Sequence, residues 1–122
     1  TSARLVAERA GMKEWALVYQ SRSGRPETPW LEPDICEYLR NEHSNGLSAA
    51  VICPIGFVCD HIEVLWDLDE EAAAVCKECG IVMARAEAAN ADPCFIELMA
   101  DVVLKEIRRY HTGRPLTLTR PE

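Results

Sequence analysis

Three carboxylates recur at four-residue spacing, Glu63, Asp67 and Glu71, directly after the tetrapeptide Asp60-His61-Ile62-Glu63. On a helix this spacing puts them on one face. Carboxylates and imidazole accept protons near neutral pH and hold divalent ions loosely through oxygen and nitrogen. Like charges one turn apart cost roughly 0.2–0.5 kcal/mol per pair, so such a row is either used or tolerated as a solvated face. The structural explanation has weight. Asp60 with Glu63 three residues on is a capping-box pattern, and acidic residues suit the first turn of a helix. The spacing leaves both readings open. The other side of the helix carries Ile62, Leu65, Trp66, Ala73 and Cys76, which read as its core-facing stripe. His61 is a metal ligand, a proton acceptor or a satisfied surface group.

The elements that must position this row follow from periodicity and punctuation. Ser2 to Ala10 is a predicted helix with Gly11 as its stop. Trp15 to Tyr19 is a short apolar run, predicted as a buried strand. Residues 20–33 are rich in Gly, Pro and Ser and form a long loop, a feature that is usually functional in a compact domain. Pro33 is placed in the first turn of a helix running to about Glu42, broken at Asn45-Gly46. Leu47 to Ile55 is continuously apolar, as a strand covered on both faces should be. The acidic helix runs from near Asp60 to Cys79 with Gly80 as its stop. Ile81 to Arg85 is a third strand, and Pro93 opens a last helix to about Tyr110.

Strands separated by helices make a parallel sheet with right-handed crossovers, an α/β domain. The leading helix has no strand before it, so the domain is read as incomplete at its N-terminal side, with a strand and a partner half expected upstream. Residues 1–111 form this half-domain, and residues 112–122, polar with two prolines, are read as a tail. Ligands of open parallel sheets bind beyond the carboxyl ends of the strands. Three segments reach that rim: Gln20-Ser21-Arg22, residues 54–63, and Asn90-Ala91-Asp92-Pro93.

The 122 residues have the size of one domain, with 48% hydrophobic and 27% charged residues. A net charge of −7 argues against nucleic acid, which needs a basic face. Arg108 and Arg109 read as partners of a helix end, not as a patch. No run of 18 apolar residues exists to span a bilayer. The reading is cytoplasmic, with peripheral membrane contact at most. The six cysteines sit in periodic helices and an apolar strand, which favours reduced thiols. Cys76-Lys77-Glu78-Cys79 has zinc-like spacing but no matching second pair, Cys53 falls in the buried strand, and Cys36 and Cys94 fall in separate helices. No structural metal or iron–sulfur cluster is expected from this chain.

Residues 51–69, VICPIGFVCDHIEVLWDLD, resemble the signature region of ferrochelatases. Residues 19–24, YQSRSG, followed by PWL at 29–31, resemble that family's porphyrin-side loop, and residues 90–101, NADPCFIELMAD, its asparagine-proline helix entry. Three motifs in the family's order over nearly the whole chain make the resemblance specific. It implies a chelatase-like, Rossmann-type three-layer sandwich, a parallel sheet flanked by helices. It also implies an activity, insertion of substrate Fe²⁺ into coproporphyrin III or protoporphyrin IX in haem biosynthesis. Glu63 matches the active-site glutamate that handles pyrrole protons or incoming metal. His61 and Asp60 match the pair that holds it by hydrogen bonds. Glu63, Asp67 and Glu71 match the acidic ladder along which metal or protons pass, often on a π-type widening. Gln20, Ser21, Arg22, Trp30 and Phe57 would line the porphyrin pocket.

The family's metal-handling histidine matches no position here, since the resemblance places it in a strand upstream. The isolated chain is therefore expected to be inactive. Cys59 stands where a small residue such as serine is usual, and Asp67 where glutamate is common. The wording QSRSG, PWLEPD and EVLWDLD is most similar to actinobacterial members, which tend to use coproporphyrin and often carry a C-terminal cysteine cluster. Two other readings stay open. One is a non-catalytic porphyrin- or metal-binding module. The other is a small sirohydrochlorin-type chelatase acting as a homodimer, which needs a histidine-rich site that His43, His61 and His111 do not supply. An exposed sheet edge would also permit self-association.

Overall fold

A computed structural model of the chain describes residues 2–25 and 27–111. The chain falls into two compact units, Thr1–Ala88 and Ala89–Glu122. The first unit holds helix α1 (Ser2–Arg9), helix α2 (Ile35–Ser44), strand β1 (Ala49–Ile52), helix α3 (residues 62–79) and strand β2 (Val82–Arg85). The second holds helix α4 (Pro93–His111). Its start follows the rules for helix entry: Asp92 Oδ1 accepts the Cys94 N–H at 2.9 Å, with Pro93 at the first helical position. Near its end Arg109 pairs with Glu106 at 2.9 Å. The tail expected from residue 112 lies outside the described residues.

In the first unit β1 and β2 pair in parallel, Ala49 opposite Val82 through Ile52 opposite Arg85, joined by the α3 crossover. The architecture is α/β. Among the described residues the sheet has two strands, not three. Residues 15–19, expected as a buried strand, make a single parallel bridge: Tyr19 donates to Pro33 O and accepts from Ile35 N, both at 2.9 Å. A strand needs a ladder, and one exchange does not make one. Trp15 and Leu17 are accordingly exposed. The same bridge corrects the start of α2. Pro33 precedes the helix, and Asp34 caps it by accepting from Cys36 N at 2.8 Å and Glu37 N at 3.2 Å.

The core is one cluster. Ile35 and Leu39 of α2 meet Val64, Leu68, Ala72, Val75 and Cys76 of α3, with Ile81 before β2. The sheet adds Ala50, Ile52 and Met83 to it from one face. The other face is open, with Val51 71% and Val82 73% exposed. Continuous apolarity therefore does not mean here that both faces are covered. Cys53, expected within the buried strand, is exposed. β1 ends at Ile52, and the chain turns sharply at buried Pro54, with Ile55 N–H bonded to Cys53 O at 2.8 Å.

Helix α3 is continuous but not uniform. It is α-helical over Ile62–Val64, a π-helix over Leu65–Ala72, and α-helical again over Ala73–Cys79. In an α-helix of 3.6 residues per turn, a row at i, i+4 and i+8 drifts by about 80° around the axis. Widened turns with i→i+5 bonding take more residues each, so a four-residue row runs closer to straight. The buried stripe is Val64, Leu68 and Ala72, continued by Val75 and Cys76. Ile62, Leu65 and Trp66, read from a 3.6 period as core-facing, are exposed. Gly80 ends the helix at φ 71°, and Ile81 N–H closes onto Cys76 O at 2.8 Å.

Candidate active site

The carboxyl ends of β1 and β2 lie side by side, Ile52 opposite Arg85, and the chain leaving β1 passes through Pro54 and Phe57 to the head of α3. His61 caps that helix. Its Nδ1 accepts the Glu63 N–H at 3.2 Å, which leaves the proton of a neutral ring on Nε2. The Phe57 ring meets the imidazole edge to face, centroids 4.4 Å apart at 86°. The capping box between Asp60 and Glu63 does not form, because His61 occupies the cap and Asp60 is engaged elsewhere.

Asp60 Oδ1 accepts from Arg85 Nη1 at 2.9 Å and from Ala88 N at 3.2 Å. The same guanidinium grips Asp69 in the π segment, Nε to Oδ1 at 2.5 Å and Nη2 to Oδ2 at 2.9 Å. Its side chain is only 14% exposed. The hydrogen bond it donates to Asp69 does most to raise the Arg85 pKa above its ordinary value, so the charge is present at any working pH. Sequence reasoning missed this residue. The available signal was a lone basic side chain ending an apolar strand, IVMAR, opposite an acidic helix.

The acidic row splits into three environments. Glu63 is exposed, and among the described residues no hydrogen bond or ion pair engages its carboxylate. Asp67 is half-buried and accepts a short hydrogen bond from Ser21 Oγ. Glu71 is exposed and lies near the Cys36 thiol, whose pKa is raised mainly by burial, then by Asp34, with Glu71 contributing. Among the described residues no three His, Cys, Asp or Glu side chains converge to hold a metal ion. Glu63, Asp67 and Glu71 form a row, not a coordination sphere.

The loop at 20–33 is closed at its base by the Tyr19 bridge. Ser21 adopts φ 58°, which turns the chain so that its hydroxyl reaches α3. Gln20 Nε2 donates to Ser21 Oγ at 3.3 Å, and Arg22 Nη2 to Thr28 O at 3.0 Å. Trp30 is 37% exposed. The structure thus brings Ser21 to Asp67, Phe57 to His61, and Asp60 to Asp69 through Arg85. Asn90, with φ 47°, belongs to the second unit together with the Asp92 cap.

The family model described as Ferrochelatase matches residues 1–107. A coproporphyrin III ferrochelatase of Mycobacterium avium is 50% identical over 121 residues, 99% of this chain and 35% of its own length. One from Streptomyces coelicolor is 51% identical over 108 residues, 84% of this chain and 29% of its length. A ferrochelatase of Rhodopirellula baltica is 52% identical over 107 residues, 87% of this chain and 30% of its length. The chain spans about a third of the length of these relatives.

Proposed function

This chain belongs to the ferrochelatase family, and from that membership we propose that the protein inserts ferrous iron into a porphyrin, with this chain supplying one wall of the site. The observation that carries the reading is the Ser21–Asp67 hydrogen bond. It sets the loop matched to the porphyrin side against the row matched to the metal side.

Metal insertion removes two pyrrole protons and strips the water shell of the ion. Glu63, unpaired among the described residues and at the head of the row, accepts a pyrrole proton and offsets developing positive charge. His61, fixed by its bond to Glu63 N and by Phe57, presents its Nε2–H as a hydrogen-bond donor at the same helix head. Asp67 and Glu71 offer successive oxygen contacts to Fe²⁺ as substrate. Loose oxygen ligation suits an ion that must be released. Phe57 and Trp30 supply apolar contact to the macrocycle, while Gln20, Ser21 and Arg22 line its edge. Asp60 holds the start of the helix in place. The substrate is coproporphyrin III, by likeness to the actinobacterial relatives of that name.

Residues outside this chain complete the site, in keeping with the threefold greater length of those relatives. That length difference also favours a second reading for the chain alone, porphyrin binding without catalysis. No helix among the described residues is long and apolar enough to cross a membrane, and the proposal places the protein in the cytoplasm. The two strands leave open edges, so self-association is a further part of it.

Anaerobic titration of this chain with coproporphyrin III and Fe²⁺, followed in the visible spectrum, separates the readings. The expected result is spectral binding without haem formation by the chain alone. Absence of any porphyrin binding would contradict its place in the site.

A further inference from the structure

The geometry points to Arg85 as a positioning residue of the chelatase site: its guanidinium, held between Asp60 and Asp69, fixes the segment that carries His61, Glu63 and Asp67. This inference rests on the proposed role of the acidic row and adds a residue to which that role assigns nothing.

Arg85 is the last residue of β2, at the sheet rim where ligands of open parallel sheets bind. Three of its N–H groups reach two carboxylates: the Asp69 fork at 2.5 and 2.9 Å, and Asp60 at 2.9 Å. Asp60 precedes the cap of α3 and Asp69 lies inside its π segment. Of the groups expected to handle protons or iron from this helix, His61, Glu63 and Asp67 fall between these two anchors in the chain, and Glu71 lies two residues beyond the second. The clamp therefore brackets the first two carboxylates of the row and ties them to a strand.

A bracket is needed because the π segment is the less common of two registers open to the same residues. In an α-helix each residue turns by about 100°, so relaxation of the widened turns would rotate Asp69 away from Arg85. It would also change how Glu63 and Asp67 sit relative to Ser21. An ion pair at Asp69 opposes that rotation directly. The fork is also specific to arginine. A planar guanidinium serves one carboxylate through two parallel N–H bonds and still offers a third to Asp60. Lysine keeps the charge and loses this geometry. Arg85 Nη1 is further held by Ala86 O at 3.2 Å, and Asp60 by Ala88 N–H, so the anchor itself is rigid.

The test compares R85K, D69N and E63Q in the complete protein that carries this chain, by steady-state Fe²⁺ insertion into coproporphyrin III with circular dichroism as the measure of folding. For R85K the expected result is a kcat lowered by about tenfold or more, the effect of a small misplacement of catalytic groups. The KM for porphyrin and the Soret shift of bound porphyrin stay as in the parent. A kcat per folded molecule equal to the parent would overturn the inference, because a residue that only stabilises the fold acts through the folded fraction. If R85K does not fold, D69N breaks the fork and leaves the Asp60 contact. It should show the same loss in kcat, and normal turnover there overturns the inference equally. Normal turnover in E63Q removes the acidic-row reading and this inference with it. An inactive E63Q beside a normal R85K removes only the role of Arg85.

Discussion

Ser21 and Asp67 stand 46 residues apart in the chain and are joined by a hydrogen bond from the serine hydroxyl to the aspartate carboxylate. One lies in the loop that follows the Tyr19 bridge, the other in the π segment of α3. This contact converts two separate motifs into one site. Its position depends on two unusual backbone features, the positive φ of Ser21 and the widened turns under Asp67.

Ser21→Ala removes the donor and leaves a half-buried carboxylate without it. A hydrogen bond to a charged acceptor contributes about 1.5–3 kcal/mol when buried, and roughly 1 kcal/mol is expected at this partial exposure. Chemical denaturation should show that loss, and porphyrin affinity should fall as the loop loosens. An unchanged midpoint together with unchanged affinity would mean the contact holds nothing.

Much of this arrangement was legible from residue types. Gly80 marked the end of α3, Pro93 the start of α4, and the order of strands and helices gave the parallel β-α-β unit, while the Asp34 cap was missed because Pro33 reads as a first-turn residue. The buried face was only partly legible in the hydrophobic pattern: of Ile62, Leu65, Trp66, Ala73 and Cys76, Cys76 is buried and Ala73 half-buried, while the first three are exposed. The row at 64, 68 and 72 is consistent with either helix type until its packing is known. Ser21–Asp67 and the Arg85 clamp join residues far apart in sequence, and no local rule couples them. Residues 15–19 looked like a strand because apolar content was visible and the missing ladder was not.

Leu68 is 1% exposed at the centre of the core, between α2 and the sheet. Leu68→Ala should cost about 2–5 kcal/mol, since the helices around it collapse only partly onto the cavity. Thermal melting gives the measure. A shift typical of a surface substitution would contradict this packing.

Gly80 holds φ 71° and ψ 24° with no atom within 4 Å of an added Cβ. Gly80→Ala should therefore cost about 1 kcal/mol from backbone conformation alone, without steric displacement. Gly80→Asn should recover part of that, because asparagine tolerates this region better. Equal stability of the three forms would contradict the left-handed cap.

Burial raises the Cys36 and Cys76 thiols above their ordinary value of 9.0. Around Cys36, Asp34, Glu71 and Cys76 act in the same direction and Arg40 opposes them. Around Cys76, Cys79 adds to the rise. The unfolded thiols lose protons first as pH rises, so the unfolded state binds fewer protons than the folded one. Stability should then be constant with respect to these groups below about pH 9 and fall as pH climbs towards the folded values. Denaturation midpoints from pH 7 to 11 test the sign, and C36A should flatten the alkaline fall. Alkylation at neutral pH should reach exposed Cys53, Cys59 and Cys94 before half-buried Cys36 or buried Cys76.

The central claim is that Glu63 handles the pyrrole protons. Its most direct test is the rate of Fe²⁺ insertion into coproporphyrin III by the E63Q variant of the complete protein that carries this chain, measured anaerobically at saturating porphyrin. General base catalysis by a positioned carboxylate contributes about 10²–10⁴-fold, so kcat should fall by at least the lower figure with porphyrin binding and fold intact. Turnover within about a factor of two of the parent, set against that expectation, would contradict the assignment.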